Sequence, residues 1–323
     1  MREFPARSAM VQGAAAQSRA HHPALECLIF CAVFAVCSMV QTALLIAPTF
    51  AAIFSSGFIE AVMAGEVPGT AEIMSMLPPW YTLLNLFATS VVVAGTILYC
   101  RFLEKRQLWT MGIIRRGAVA EYAVGWLIGA GMVSLSMLPG LLAGDIRITG
   151  FSPESPWGML ILMFIAFSIQ GLSEELLCRS YFCISLARRT KMQWAVVISS
   201  AAFALLHGAN GGLTLLALLN LFLYGVFAAL WLIRCGNVWG IAAMHSAWNY
   251  VQGNVWGSTV SGLDVGGSIF TMEHIGERTI LAGGQFGLEG GLGVTMVLCI
   301  GIIWLGVMKN REPVPAPQDD LWK

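Results

Sequence analysis

Eight apolar runs, starting near Leu25, Trp80, Tyr122, Trp157, Trp194, Leu213, Val238 and Gly291, leave this chain few ways to fold. Each approaches the roughly 20 residues that carry a helix across a bilayer. Backbone polar groups in hydrocarbon must be satisfied within their own segment, so runs of this kind become helices. Composition agrees: the chain is 57% hydrophobic and only 11% charged, against about 25% charged in ordinary soluble domains. The sequence therefore reads as all-α, a polytopic integral membrane helical bundle of about eight transmembrane helices. The seventh run, from Val238, is short before Gly253 and is the least complete crossing.

The basic residues test that count through the positive-inside rule. With the N-terminus in the cytoplasm, the inner connections and tails receive Arg2, Arg7, Arg19, Arg101, Lys105, Arg106, Arg115, Arg116, Arg188, Arg189, Lys191, Arg234, Lys309, Arg311 and Lys323, fifteen of the eighteen Lys and Arg. Arg147 and Arg278 fall outside, and Arg179 is left within a span. The chain divides into a cytoplasmic tail (1–24), N-terminal transmembrane helices (25–150), a second helical region carrying intramembrane polar residues (151–308) and a Pro-rich cytoplasmic tail (309–323). The first run extends beyond Ala47 with no small-residue cleavage site, so it is read as a retained span and not a leader. The expected location is a membrane, with both termini cytoplasmic.

Formal net charge is zero, so no basic surface points to nucleic acid, and the expected partners are the lipid bilayer and something anchored in it. The eight cysteines lie in or at the ends of apolar runs without C-x-x-C, and are read as small hydrophobes. The segment from Phe58 to Pro78, with Glu60, Glu66 and Glu72, reads equally as an interfacial helix or an ordinary loop. Pairs such as Gly125 with Gly129 and Gly140 with Gly144 have the G-x-x-x-G spacing of close helix packing.

A carboxylate within a membrane segment is a functional hypothesis by default. Glu174 and Glu175 stand side by side in the fourth run, with Arg179 one helical turn beyond the second. Glu175 and Arg179 share a face, while Glu174 is turned away by about 100°. The fifth run carries Phe203 and His207, and the seventh His245 and Asn249, again four apart. At about 1.5 Å per residue from the nearest inner cations, Glu174, His207 and Asn249 come out roughly 21, 24 and 22 Å deep, and His245 about 16 Å. Three helices thus bring polar groups to similar depth. A carboxylate can take a proton from water, a histidine can orient that water, and a histidine with an amide can donate to an oxyanion. The same donors, Glu174, His207, His245 and Asn249, are candidate metal ligands if a metal is used, with zinc the expected ion and a metal-independent route the alternative.

The ordered set Glu174-Glu175-x-x-x-Arg179, Phe203-x-x-x-His207 and His245-x-x-x-Asn249 resembles the signature of the CAAX protease and bacteriocin-processing family (CPBP, also called Abi), which includes the type II CAAX prenyl endopeptidases. The stretches GNVWGIAAMHSAWN from Gly236 to Asn249, VSG from Val260 to Gly262 and GGQFGLEGG from Gly283 to Gly291 are also similar to bacterial members. The resemblance implies an intramembrane endopeptidase, a metalloprotease or a glutamate protease, that acts on a membrane-anchored protein or peptide, with residues 151–308 as its core. Carried over by position, it implies that Glu174 or Glu175 activates water, Arg179 sets the carboxylate pair, His207 assists the base, and His245 with Asn249 supports the oxyanion. Alternatives are a noncatalytic scaffold or bacteriocin self-immunity protein of the same fold, or a proton-coupled transporter. For a transporter, polar residues in both halves and internal symmetry are expected; here they are confined to the second half. His21, His22 and His274 read as surface groups, Phe203 as packing, and Trp239, Trp248 and Trp256 as packing or interface anchors. Glu289 receives no role.

Overall fold

The computed structural model describes residues 8–18, 20–65, 76–152, 157–275 and 279–307. Its helices are α1 (Ala9–Gln17), α2 (Pro23–Ser55), α3 (Phe58–Met63), α4 (Pro79–Leu103), α5 (Ala118–Ala143), α6 (Trp157–Ala187), α7 (Met192–Leu206), α8 (Leu215–Cys235), α9 (Val238–Tyr250) and α10 (Leu292–Val307). All eight predicted runs become helices, and the protein is a polytopic membrane bundle. Five, α2, α4, α5, α6 and α8, are long and apolar enough to cross a membrane; α7 and α10 are apolar but shorter. Glu66 and Glu72, both tails beyond residues 8 and 307, and Arg278 lie outside the described residues.

Hydropathy alone does not decide which helices face lipid: the most apolar windows of α2 and α8 are nearly equal, at 2.3 and 2.2. α2 has mean hydropathy 2.3 in its central window, yet only 17% of that window is buried; for α8 the buried share is 67%. The short α9 is more enclosed still, with Gly240 through Asn249 all buried, and it ends in a π-helical turn, Val251–Val255. It packs chiefly against α5 and α6. The seventh run is thus a core element at membrane depth, which is why its length falls short of a bilayer.

Two glycines of α5 explain how α9 fits. A Cβ on Gly125 would run into the Gly240 carbonyl, and one on Gly129 into the Met244 carbonyl. This G-x-x-x-G pair is a backbone-to-backbone groove. Gly140 and Gly144 are different: Gly140 meets the Ile146 side chain, and Gly144 closes the helix in the left-handed region at φ +73°. Gly125→Leu is accordingly expected to lower stability by at least about 1–3 kcal/mol through overpacking, read as a lower melting temperature in detergent, whereas Gly131→Leu, with open space at its Cβ, is expected to change it little.

One end of the bundle is fastened by ions. Arg188, just past α6, reaches Glu26 at the start of α2 (2.9 Å) and Glu104 just past α4 (2.8 Å). Arg106 adds a contact to Glu104 at 3.2 Å and donates to the Thr110 and Ser180 carbonyls. All four side chains are buried. The start of α2 and the ends of α4 and α6 therefore share a side, as an alternating path of spans requires. Connections on the opposite side pair as a small antiparallel sheet, β1 (Ile146–Phe151) with β2 (Phe270–His274), in which Ile146 faces His274. All eight cysteines are unbridged; Cys37, Cys100, Cys178 and Cys183 are buried, while Cys31 and Cys299 are exposed.

Candidate active site

Immediately after Glu175 the backbone of α6 loosens from α-helix to π-helix over Leu176–Cys183. Such turns recur at functional sites because the widened turn re-aims side chains. Here Arg179 sits with Nε 3.2 Å from Glu175 Oε2, both side chains 0% exposed. The alignment falls short of a hydrogen bond, so the contact is Coulombic. The guanidinium is otherwise faced by rings: its carbon lies 4.0 Å over the Phe203 centroid and 5.5 Å from that of Tyr224. Cation–π attraction is strongest where water is excluded. Phe203 is thus packing, as expected, with an electrostatic part in it.

The other Glu175 oxygen, Oε1, accepts from His245 Nδ1 at 2.9 Å and from the Tyr224 hydroxyl at 3.3 Å. A carboxylate only accepts, so His245 must carry its proton on Nδ1, which leaves Nε2 to face the reaction side. His207, at the C-terminal end of α7, is fixed the same way: Nδ1 lies 2.9 Å from the Phe203 carbonyl, to which it donates. The two Nε2 atoms then stand 3.8 Å (His245) and 4.0 Å (His207) from one oxygen, Glu174 Oε2.

Glu174 differs from its neighbour in solvation. Its side chain is 27% exposed where that of Glu175 is 0%. Oε1 accepts from the Gln170 amide at 2.6 Å, and Gln170 in turn accepts from Asn249 at 2.9 Å. Oε2 has no hydrogen-bond partner and is itself shielded. Two imidazole nitrogens at about 4 Å are within Coulombic reach of this oxygen but beyond hydrogen-bond length.

Of these groups, Gln170, Glu174 and His207 line a cleft of about 650 Å³. Gln170, Glu174 and His207 form one wall; α2 and α4 form the other, tied together by Gln41 to Asn85 (3.0 Å) and Thr49 to Tyr81 (2.9 Å). α2 lines it from Phe34 to Phe50, about 24 Å at 1.5 Å per residue. The site therefore opens onto a long groove of mixed polarity between lipid-facing helices.

Residues 156–251 match the family model described as type II CAAX prenyl endopeptidase Rce1-like. That stretch is Rce1-like. It contains all six predicted site residues and supports an intramembrane endopeptidase; the glycine-rich run at 283–291 and the first 155 residues lie beyond it. No curated protein and no solved structure matches the chain.

The Rce1-like stretch brings Glu174, Glu175, Arg179, His207, His245 and Asn249 into one contact network. Two members escaped sequence reasoning. Gln170 sits four residues before Glu174, a polar pair on one helical face that spacing alone could have revealed. Tyr224 gave no signal, because one tyrosine in an apolar helix reads as packing. The donor types suit zinc, but among the described residues no group of three or more His, Cys, Asp or Glu is arranged to hold a metal ion.

Proposed function

We propose that the protein is an intramembrane endopeptidase that hydrolyses a peptide bond of a membrane-anchored protein or peptide, with Glu174 as general base. The observation that supports this most is the unpartnered Glu174 Oε2, set before two imidazole Nε2 atoms on the wall of the cleft.

In this reading the attacking water enters from the cleft and sits at the Glu174 carboxylate, beside the His207 ring. Glu174 takes its proton as the oxygen attacks the scissile carbonyl, and the carbonyl π electrons move onto oxygen. The protonated His245, its Nδ1–H committed to Glu175, donates from Nε2 to that oxyanion. Asn249 adds a second donor, because its amide has two N–H bonds and Gln170 uses one. The intermediate collapses, the C–N bond breaks, and Glu174 returns its proton to the leaving amine. Preorganised donors at the oxyanion commonly lower the barrier of such a reaction more than any other single effect. Arg179 acts through Glu175, which accepts the His245 Nδ1–H and sets its ring.

The substrate enters from the cleft. Gln41, Asn85, Thr49 and Tyr81 supply polar partners for an unwound chain, whose backbone groups find no water in hydrocarbon. The protein sits in a bacterial cytoplasmic membrane with both termini inside, a reading supported by the fifteen inner basic residues and the fastened end of the bundle.

The test is cleavage of a library of membrane-anchored reporters by purified protein in liposomes. Cleavage is expected, with the rate unchanged within about twofold by a chelator; chelator inhibition that zinc reverses would replace the water-only mechanism with a metal-assisted one. Failure to cleave any reporter, alongside proton-coupled solute uptake, would replace the protease reading altogether.

A further inference from the structure

Glu289 lies outside the matched stretch and has no part in the hydrolytic steps, yet it is the carboxylate on the wall of a second, much smaller cavity. That chamber has a volume of about 20 Å³, and its polar wall consists of His207, His245, Asn249, Asn220, Ser261 and Glu289 beside Tyr224. About 10–15 Å³ of such space with two to four polar partners holds one buried water. Among the described residues, His207 alone lines both this chamber and the cleft. His207 therefore touches both spaces.

Glu289 is delivered there by backbone packed on backbone. A Cβ on Gly283 would collide with the Gly287 carbonyl, one on Gly287 with the Thr259 carbonyl, and one on Gly290 with the Gly283 carbonyl. The glycine-rich run therefore folds tightly enough to set Leu288–Gly290 against α8, where the Asn220 amide donates to the Glu289 and Gly291 carbonyls at 2.8 and 2.9 Å. Glu289 Oε2 accepts from the Ser261 N–H at 2.6 Å and the Ser261 hydroxyl at 2.9 Å. A carboxylate offers about four lone-pair sites, so capacity for a water remains.

We propose that the chamber holds a buried water linking Glu289 to His207, and that Glu289 is a positioning residue for the proton transfers at Glu174. The link itself rests on the chamber; its catalytic consequence rests on the endopeptidase reading. His207 then stands between two carboxylates, Glu174 beside it on the same cleft wall and Glu289 across the chamber, with His245 next to it and the Glu175–Arg179 pair behind. With Nδ1–H given to the Phe203 carbonyl, the ring is held from one side by protein and from another by an anchored water.

Glu289→Gln in the full-length protein, in micelles, tests this. Glutamine keeps an acceptor oxygen for Ser261 and removes the charge. With ¹⁵N-labelled histidine, and His207→Asn to assign the signal, the His207 ring nitrogens are expected to shift in Glu289→Gln while the melting temperature stays nearly constant. On a cleaved reporter, kcat is expected to fall at least tenfold with KM unchanged. Unchanged His207 ring signals in folded Glu289→Gln overturn the proposal whatever the protease assay gives. A wild-type measurement guards against a variant that does not fold: a nuclear Overhauser contact between the His207 ring and a long-lived water is expected, and its absence overturns the proposal as well. A His207 shift without cleavage of any reporter supports the water link and counts against the endopeptidase reading.

Discussion

Glu174→Gln protein is expected to cleave its reporter about 10²–10⁴-fold more slowly than wild type, the span typical of a lost general base. The substitution is nearly isosteric. Its carbonyl oxygen still accepts from Gln170, so the Gln170 to Asn249 chain persists. What disappears is the basic oxygen facing His207 and His245. Because the side chain is partly exposed on the cleft wall, stability should move little, and reporter binding should survive. Single-turnover cleavage with a melting curve on the same sample separates the two effects. Full activity in Glu174→Gln together with a dead but folded Glu175→Gln would transfer the base to the buried carboxylate and overturn the assignment.

Arg179→Met is expected to do the reverse, acting on stability first. It leaves Glu175 ionised where there is no solvent and no guanidinium, with only the His245 and Tyr224 donors to face it. Breaking a buried pair from one side costs about 3–5 kcal/mol, most of it the penalty of the stranded charge. Part of that loss should return in Glu175→Gln with Arg179→Met, where neither charge is present. Thermal unfolding in detergent of the two single variants and the double variant measures the coupling; additive losses would show that the two side chains do not act as a pair. Activity should fail in the two variants that carry Glu175→Gln, since His245 Nδ1 then loses its anionic anchor.

That the apolar runs become helices, and that six polar residues stand out within them, could be read from the sequence because hydrophobic length and intramembrane polarity are strong signals; that only five are long enough to cross could not. Depth counted from the inner cations put Glu174, His207 and Asn249 at one level; His245, counted shallower, meets Glu174 all the same. The spacing of Glu175 and Arg179 foretold their pairing, although the π-helical turn between them follows from packing against α7 and α8 and has no local signature. The enclosure of α9 was only hinted at by Gly253, since burial depends on what neighbouring helices offer. Tyr224 and Glu289 stayed silent because their roles are defined by partners 49 and 28 positions away in the chain.

The sheathing of α9 bears on how such a protein comes to be. A segment that touches almost no lipid draws little of its placement from the bilayer; its seat is made by the glycine faces of α5 and by α6 and α8 once they have gathered. His245 can meet Glu175 only in the finished bundle. Hydrolytic competence is therefore a property of the last step of assembly, and a partly assembled chain in the membrane is a silent one.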